Sequence, residues 1–191
     1  MSTALLSSYK KDEPLKRLAH LLVELNWEIL ASAGTTKYLK ESGIAATDIA
    51  DLVGPPILGH RVVTLSREIH AGLLAATPED YKELSRLHIN PIDLVYVVLY
   101  PLEEAATDPK ATAEEIIEKT DIGGPALLIS AAKGQRVALS SPDQIQILES
   151  WLKKGAPGSE RRTLVEKFAA EAIRRVADYE DTSAKYWEQR T

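Results

Sequence analysis

The sequence contains no cysteine. Disulfide bonds, thiolate catalysis and cysteine-ligated zinc sites are therefore excluded. This absence fits a reducing compartment, and we expect a cytoplasmic protein. The four histidines, His20, His60, His70 and His88, have no spacing typical of a zinc site, so neither a metal nor another cofactor is expected.

Long apolar runs and an excess of positive charge are also lacking. No segment approaches the ~20 apolar residues of a membrane-spanning helix, and Ala4-Leu5-Leu6 is too short for a signal-peptide core. The net charge is −5, whereas an extended nucleic-acid surface is normally basic, so neither a membrane nor a nucleic acid is an expected partner. A small anion remains a candidate ligand, because a local cradle of backbone amides can bind phosphate.

What the sequence does contain is a regular alternation of short apolar runs with amphipathic segments over 191 residues. The apolar runs lie at 5–6, 27–31, 92–99 and 137–139. This alternation predicts one α/β domain over residues 1–191, with a doubly wound, mostly parallel sheet flanked by helices.

The remaining segments give further expectations. Residues 44–62 are predicted as a loop because they contain two glycines and two prolines. A C-terminal helix is predicted to begin near Thr163, with Glu166 completing its capping box. The polar residues 182–191 are predicted to fray at its end.

The turn Ser32-Ala33-Gly34-Thr35 is the first candidate site. It follows a predicted strand and precedes a predicted helix, and its small side chains let backbone amides approach an anion. These features are typical of a phosphate-binding turn. They are also typical of an ordinary helix N-cap, and the pattern alone favours the latter.

The second candidate is Asp121-Ile122-Gly123-Gly124, where paired glycines before a helix allow close approach of a ligand. A helix stop followed by a helix start explains the same pattern. Two further candidates are the pair Lys10-Lys11, after the first strand, and Tyr100, which ends the strongest strand. Lys133 lies at the end of an apolar helix, where a lysine commonly complements the helix dipole.

Taken in order, several segments resemble the IMP cyclohydrolase domain of the bifunctional AICAR transformylase/IMP cyclohydrolase family, which has the methylglyoxal-synthase-like fold. The resemblance covers essentially the whole chain, and each motif alone is weak. We expect a stand-alone domain, with any transformylase as a separate partner, and a homodimer is compatible with this. The matching segments are Ser32 to Leu39, Arg61 to Leu65, His70 to Leu74, Leu99-Tyr100-Pro101, Asp121 to Gly124 and Ala131-Ala132-Lys133.

The resemblance implies a purine nucleotide monophosphate as ligand and the closure of formyl-AICAR to IMP with loss of water. It implies catalytic roles for three residues, namely Tyr100, Asp121 and Lys133, with Lys133 transferring the proton and stabilising the oxyanion. It implies nucleotide or phosphate binding by Tyr9, Lys10, Lys11, Ser32, Ala33, Gly34, Thr35, Arg61, Thr64, Ile122, Gly123 and Gly124.

Departures from the family pattern leave an alternative open. Val63 stands where the family has a catalytic lysine, and Val98 where it has an asparagine. These departures favour a non-catalytic nucleotide-binding or regulatory module of the same fold, similar to the regulatory domain of carbamoyl-phosphate synthetase. A methylglyoxal synthase fits less well, because the Leu99-Tyr100-Pro101 and Asp121 to Gly124 segments belong to the cyclohydrolase pattern. We prefer the cyclohydrolase interpretation.

Overall fold

The computed structural model describes residues 2–59, 61–108 and 110–190. In these residues a five-stranded parallel sheet has the strand order β3-β2-β1-β4-β5. The strands are β1 (Thr3–Ser8), β2 (Glu28–Ala31), β3 (Thr47–Asp48), β4 (Leu94–Val98) and β5 (Val137–Leu139). The predicted doubly wound α/β fold is confirmed.

Helices connect the strands and cover both faces of the sheet. They are α1 (Glu13–Glu24), α2 (Ala33–Glu41), α3 (Ile49–Val53), α4 (Arg67–Leu74), α5 (Pro78–Arg86), α6 (Leu102–Thr107), α7 (Ala113–Lys119), α8 (Gly123–Lys133), α9 (Ile145–Lys153) and α10 (Gly158–Glu188). A 3-10 turn over Pro142–Gln144 precedes α9. No helix among the described residues could span a bilayer.

The topology creates a crevice between β1 and β4. The chain runs outward from β1 through β2 to β3 and then returns to place β4 on the other side of β1, where Ser8 pairs with Val98. In open α/β sheets the carboxyl edge at such a reversal is the usual ligand position. The segments that follow β1, β2 and β4 all reach this edge.

Alternation along the strands builds two apolar layers. Leu6 and Tyr96 belong to the cluster that contains residues of α1 and α9. Leu5 and Val95, one residue away in each strand, belong to the cluster that contains residues of α4, α8 and α10. Successive strand residues point to opposite faces, so both faces of the sheet are buried.

Several predicted boundaries were wrong. Residues 44–62 include β3 and α3, because a two-residue edge strand leaves no periodic signal. The last helix begins at Gly158 rather than Thr163; its extra turn is held by the Lys154–Glu160 ion pair at 3.5 Å and by Arg161, which donates to the carbonyl of Gln135 at 3.2 Å.

The C-terminal end of the chain is more helical than the sequence predicted. Residues 182–188, where fraying was predicted, are helical in α10. Thr191 and His60 lie outside the described residues.

Arg136, between α8 and β5, ties α4 to the sheet. Its side chain is buried, and its guanidinium donates to the carbonyl oxygens of Leu73, at 3.0 Å, and of Ala75. It also donates to the hydroxyl of Tyr81 at 3.2 Å. The two carbonyls lie at the end of α4, where a helix has unpaired acceptors and partial negative charge. The position of α4 matters for the site, since α4 begins three residues after Thr64.

Replacing Arg136 with methionine should destabilise the protein by about 3 kcal/mol, because buried carbonyls at the end of α4 lose a charged donor. Urea unfolding followed by circular dichroism measures this loss. Arg175→Met, at an exposed position of α10, is the matched control and should change the midpoint little. Equal midpoints for the two variants would contradict the tethering role of Arg136.

Candidate functional site

The candidate site lies at the carboxyl edge of the sheet, at the crevice between β1 and β4. The backbone N–H of Tyr9 donates to the carbonyl of Val98 at 2.9 Å, so the two strand ends stay joined. Beyond this bond the Tyr9 and Tyr100 rings meet with centroids 4.9 Å apart. Tyr9 is 45% exposed and Tyr100 is 42% exposed, so both line the open mouth of the crevice.

The turn after β2 presents a helix N-terminus to this edge. Helix α2 begins at Ala33, with Ser32 as its N-cap residue, and the Ser32 side chain makes no capping hydrogen bond. Ala33 and Gly34 are exposed. The first N–H groups of a helix have no acceptor within the helix, and they carry partial positive charge. The turn therefore offers backbone donors to an anion.

Lys11 lies against this helix N-terminus. A methyl group built on Gly34 would lie 3.6 Å from Cε of Lys11 and 3.8 Å from its Nζ. The ammonium donates to the carbonyls of Ser8 and, at 3.4 Å, of Tyr9. Partial burial lowers the pKa of Lys11 from its usual value, and the neighbouring Asp12 carboxylate opposes that shift. The structure thus joins the predicted lysine to the predicted phosphate turn.

The hydroxyls of the turn bind the protein itself. Thr35 is fully buried; its hydroxyl accepts from the N–H of Ser8 at 3.2 Å and from the Ser32 hydroxyl at 3.1 Å. Thr36, also buried, donates to the carbonyl of Ala31 at 2.9 Å. Thr35 therefore fixes α2 to the end of β1, and the turn's exposed backbone is what a ligand can reach.

Asp121 is held at the start of α8, on the same edge. Its Oδ1 accepts from the N–H of Gly124 at 3.0 Å. Burial raises the pKa of the Asp121 carboxyl, while the N–H groups of Gly124 and Gly123 oppose that rise. Because these amides stabilise the Asp121 carboxylate, they are occupied by the protein rather than free for a reacting oxygen.

Tyr100 shares the environment of Asp121. The pKa of its hydroxyl is raised by burial, then by the Asp121 charge, and to a smaller degree by Tyr9 and Glu118. The phenol therefore stays protonated at neutral pH and can donate a hydrogen bond. The structure brings the predicted residues Tyr9, Tyr100 and Asp121 together.

Close packing explains the paired glycines. A methyl group on Gly123 would lie 2.4 Å from the Thr64 hydroxyl oxygen. On Gly124 it would lie 2.5 Å from Oδ2 of Asp121 and 2.5 Å from Cδ2 of Leu99. The two glycines thus begin helix α8 and also let Thr64, Asp121 and β4 approach one another. The sequence pattern alone did not distinguish a helix start from a site of close approach.

The remaining residues include one in an ion pair, two that are exposed and one that packs against an apolar cluster. Arg61 forms a 3.0 Å ion pair with Glu118, which lies near Tyr100. Lys10 and Ile122 are exposed. Val63, in place of the family's lysine, packs against the apolar cluster that contains residues of α4, α8 and α10.

Lys133 lies at the opposite end of α8 from Asp121. This helix has 11 residues, so its ends are about 15 Å apart at a rise of about 1.5 Å per residue. Lys133 lines an apolar groove of about 590 Å³ between α8 and α10, together with Ile129, Ile173 and Arg174. A single chain therefore does not place the Lys133 ammonium beside the Asp121 carboxylate, and its catalytic role stays a prediction from the resemblance.

The sequence analysis missed Tyr179, on α10. The N–H of Asp121 donates to the Tyr179 hydroxyl at 2.7 Å, and that hydroxyl donates to the carbonyl of Lys119 at 3.1 Å. Burial raises the pKa of Tyr179 to about 12. The only sequence signal is a tyrosine on the buried face of a helix, because buried tyrosine hydroxyls usually have a hydrogen-bond partner.

Comparison with known proteins gives one family. The MGS-like domain model matches residues 15–126. The chain is similar to the bifunctional purine biosynthesis protein PurH of Trichodesmium erythraeum, with 40% identity over 97% of this chain and 37% of that protein. PurH of Synechocystis sp. is 36% identical over 96% of this chain and 37% of its own length. The chain thus spans about 37% of the length of these curated relatives.

A solved structure matches over nearly its full length. The crystal structure of ForH superposes with a TM-score of 0.84 and 31% identity, covering 97% of this chain and 98% of ForH. The correspondence extends through the long C-terminal helix as well as the sheet.

Gly124→Ala should lower the melting temperature and move the Asp121 carboxylate, because its methyl group would overlap with Oδ2 of Asp121 and with Leu99. Thermal unfolding measures the first effect, and a crystal structure of the variant measures the second. Gly158→Ala is the control, since a methyl group there has no neighbour within 4 Å. An unchanged melting temperature in Gly124→Ala would show that the close packing at α8 does not constrain the protein.

Proposed function

Because the chain belongs to the MGS-like domain family, we propose that its carboxyl-edge crevice binds a purine nucleotide monophosphate and closes formyl-AICAR to IMP with loss of water. The observation that carries the proposal is the shared edge: Lys11 and Gly34 form an anion site, and Tyr100 and Asp121 lie across the β1–β4 crevice from it. The similarity to PurH proteins, whose name specifies purine biosynthesis, supports the same substrate class.

The phosphate binds between the Lys11 ammonium and the first amides of α2. Both groups attract a dianion locally, although the chain as a whole carries a net charge of −5. The amides are already oriented by the hydrogen bonds of Thr35 to Ser8. With the phosphate there, the base end of the nucleotide lies toward Tyr100 and Asp121.

The ring closure requires the carboxamide nitrogen to attack the formamide carbonyl. Asp121 accepts a proton from that nitrogen, and the raised pKa of its carboxyl makes it a stronger base than an ordinary aspartate. Tyr100, which keeps its proton at neutral pH, donates a hydrogen bond to the carbonyl oxygen as negative charge develops there. This attack closes the ring and leaves a tetrahedral adduct. The proton held by Asp121 is then transferred to the adduct's oxygen, the C–O bond breaks, and the former formamide nitrogen loses its proton, so that one water leaves and the C=N bond of IMP forms.

The second candidate is a module that binds the nucleotide without turning it over. It is favoured by Val63, which packs against an apolar cluster and supplies no cation at this edge, and by Lys133, which lies at the far end of α8. Binding alone needs only the Lys11–Gly34 site. The two candidates therefore share a ligand and differ in turnover.

Gly34→Ala should leave the fold intact and weaken inosinate binding by at least about tenfold. Its methyl group would make only ordinary van der Waals contact with Lys11, at 3.6 Å, yet would occupy the space proposed for the phosphate. At about 100 times its Kd, inosinate should stabilise the unchanged protein by about 2.7 kcal/mol. Calorimetric titration measures the binding. Gly158→Ala, at the start of α10, is the control; equal affinity in both variants would contradict the phosphate position.

The purified chain should convert formyl-AICAR to IMP, followed by ultraviolet absorbance. Asp121→Asn should lower kcat by about 100-fold and Tyr100→Phe by about tenfold, since each removes a proton-transfer or donor group. Asp51→Asn, at an exposed position of α3, should match the unchanged protein. If the protein shows no turnover but is stabilised by inosinate, the proposed enzymatic activity is rejected and the non-catalytic binding module is supported.

A further inference from the structure

Helix α10 reaches the candidate site through the hydroxyl of Tyr179. We infer that Tyr179 is a positioning residue that fixes Asp121 against the base end of the bound nucleotide. The inference rests on the proposed function, because it assigns to Tyr179 the orientation of a group that the proposal places in the reaction. Tyr179 lies outside the residues 15–126 that match the family model, so that match does not assign its role.

The direction of both hydrogen bonds at Tyr179 is fixed by chemistry. A backbone N–H can only donate, so the Asp121 amide donates to the tyrosine oxygen at 2.7 Å. A carbonyl can only accept, so the tyrosine proton points at the Lys119 oxygen, 3.1 Å away. The hydroxyl thereby bridges Lys119, the last residue of α7, and Asp121, which lies two residues before the start of α8.

Asp121 is consequently held from two sides. Its amide is bound by Tyr179 of α10, and its carboxylate is bound by the N–H of Gly124 in α8. The connection from Lys119 to Gly123 is too short to have an independent structure. Removing the Tyr179 hydroxyl removes the hydrogen bond to the Asp121 amide and leaves the bond from Gly124 to the carboxylate, which is the group that must face the ligand.

The support behind Tyr179 is rigid. Phe168, Ala172 and Val176 lie buried along the same helix, and Tyr179 is itself only 8% exposed. A phenylalanine at 179 would keep this ring packing and lose both hydrogen bonds. A change in turnover in that variant would then report the hydroxyl rather than the packing of α10.

The test compares Tyr179→Phe with Tyr186→Phe in the full chain. Tyr186 is the matched control. It lies on the same helix and packs partly against the same apolar cluster. Its hydroxyl accepts a hydrogen bond at 3.1 Å from Arg190, just beyond the C-terminal end of α10. Amide hydrogen exchange at Asp121 should be at least about tenfold faster in Tyr179→Phe and unchanged in Tyr186→Phe. The kcat should fall about 10- to 100-fold in Tyr179→Phe, with KM changed less than about threefold.

A double-mutant cycle separates positioning from general stability. If Tyr179 acts through Asp121, Tyr179→Phe should lower the residual kcat of Asp121→Asn by less than about threefold. Additive losses, equal losses in both tyrosine variants, or unchanged exchange at Asp121 would each overturn the inference. If the protein without substitutions has no turnover, the proposed reaction is rejected. The exchange measurement then still decides whether Tyr179 fixes Asp121.

Discussion

A partly buried carboxylate, that of Asp121 beside the start of α8, constrains much of the surrounding structure. Burial disfavours the charged form of Asp121, so the protein must supply donors close to it, and the amides at the start of α8 do so. The carboxylate can approach the Gly124 amide because residue 124 has no side chain, and the lack of a side chain at Gly123 makes room for Thr64. The same crowding brings Thr64 and Leu99 to this corner. The segment before α4, the end of β4 and the start of α8 therefore converge around one ionisable group.

The proposed anion site, on the other side of the crevice, depends on one lysine and one helix N-terminus. No positively charged surface is needed there, because Lys11 and the N-terminus of α2 concentrate positive charge at one point of an acidic protein. Tyr9 and Tyr100 lie between this point and Asp121. The crevice thus has a lysine beside a helix N-terminus on one side, aromatic rings at its mouth and the Asp121 carboxylate on the other side, and the proposed function assigns the first to a nucleotide's phosphate and the last to its base end.

The sequence predicted the parts of this arrangement that depend on local pattern. Strand–helix alternation predicted the parallel sheet. Residues 9–11 and 32–35 were predicted as turns after strands, and Asp121 was expected to face the same crevice. Tyr179 could not be predicted, because its partner Asp121 lies 58 residues away and a helix-face pattern reports burial without identifying hydrogen-bond partners. The start of α10 was also missed, since the contacts of Glu160 and Arg161 with distant residues override a weak local signal. For Lys133, the family resemblance implied a catalytic role, and the length of α8 separates this residue from Asp121.

The buried Thr35 hydroxyl also bears on how a ligand would arrive. Because it binds both the N–H and the carbonyl of Ser8, it fixes the start of α2, which is the backbone of the proposed anion site, without the help of a ligand. Preorganisation of this kind spares a complex the entropy of immobilising a loop. A phosphate that enters the proposed site would find the backbone donors already in position. Its association rate would then be governed by diffusion and electrostatic steering rather than by a slow rearrangement of the protein.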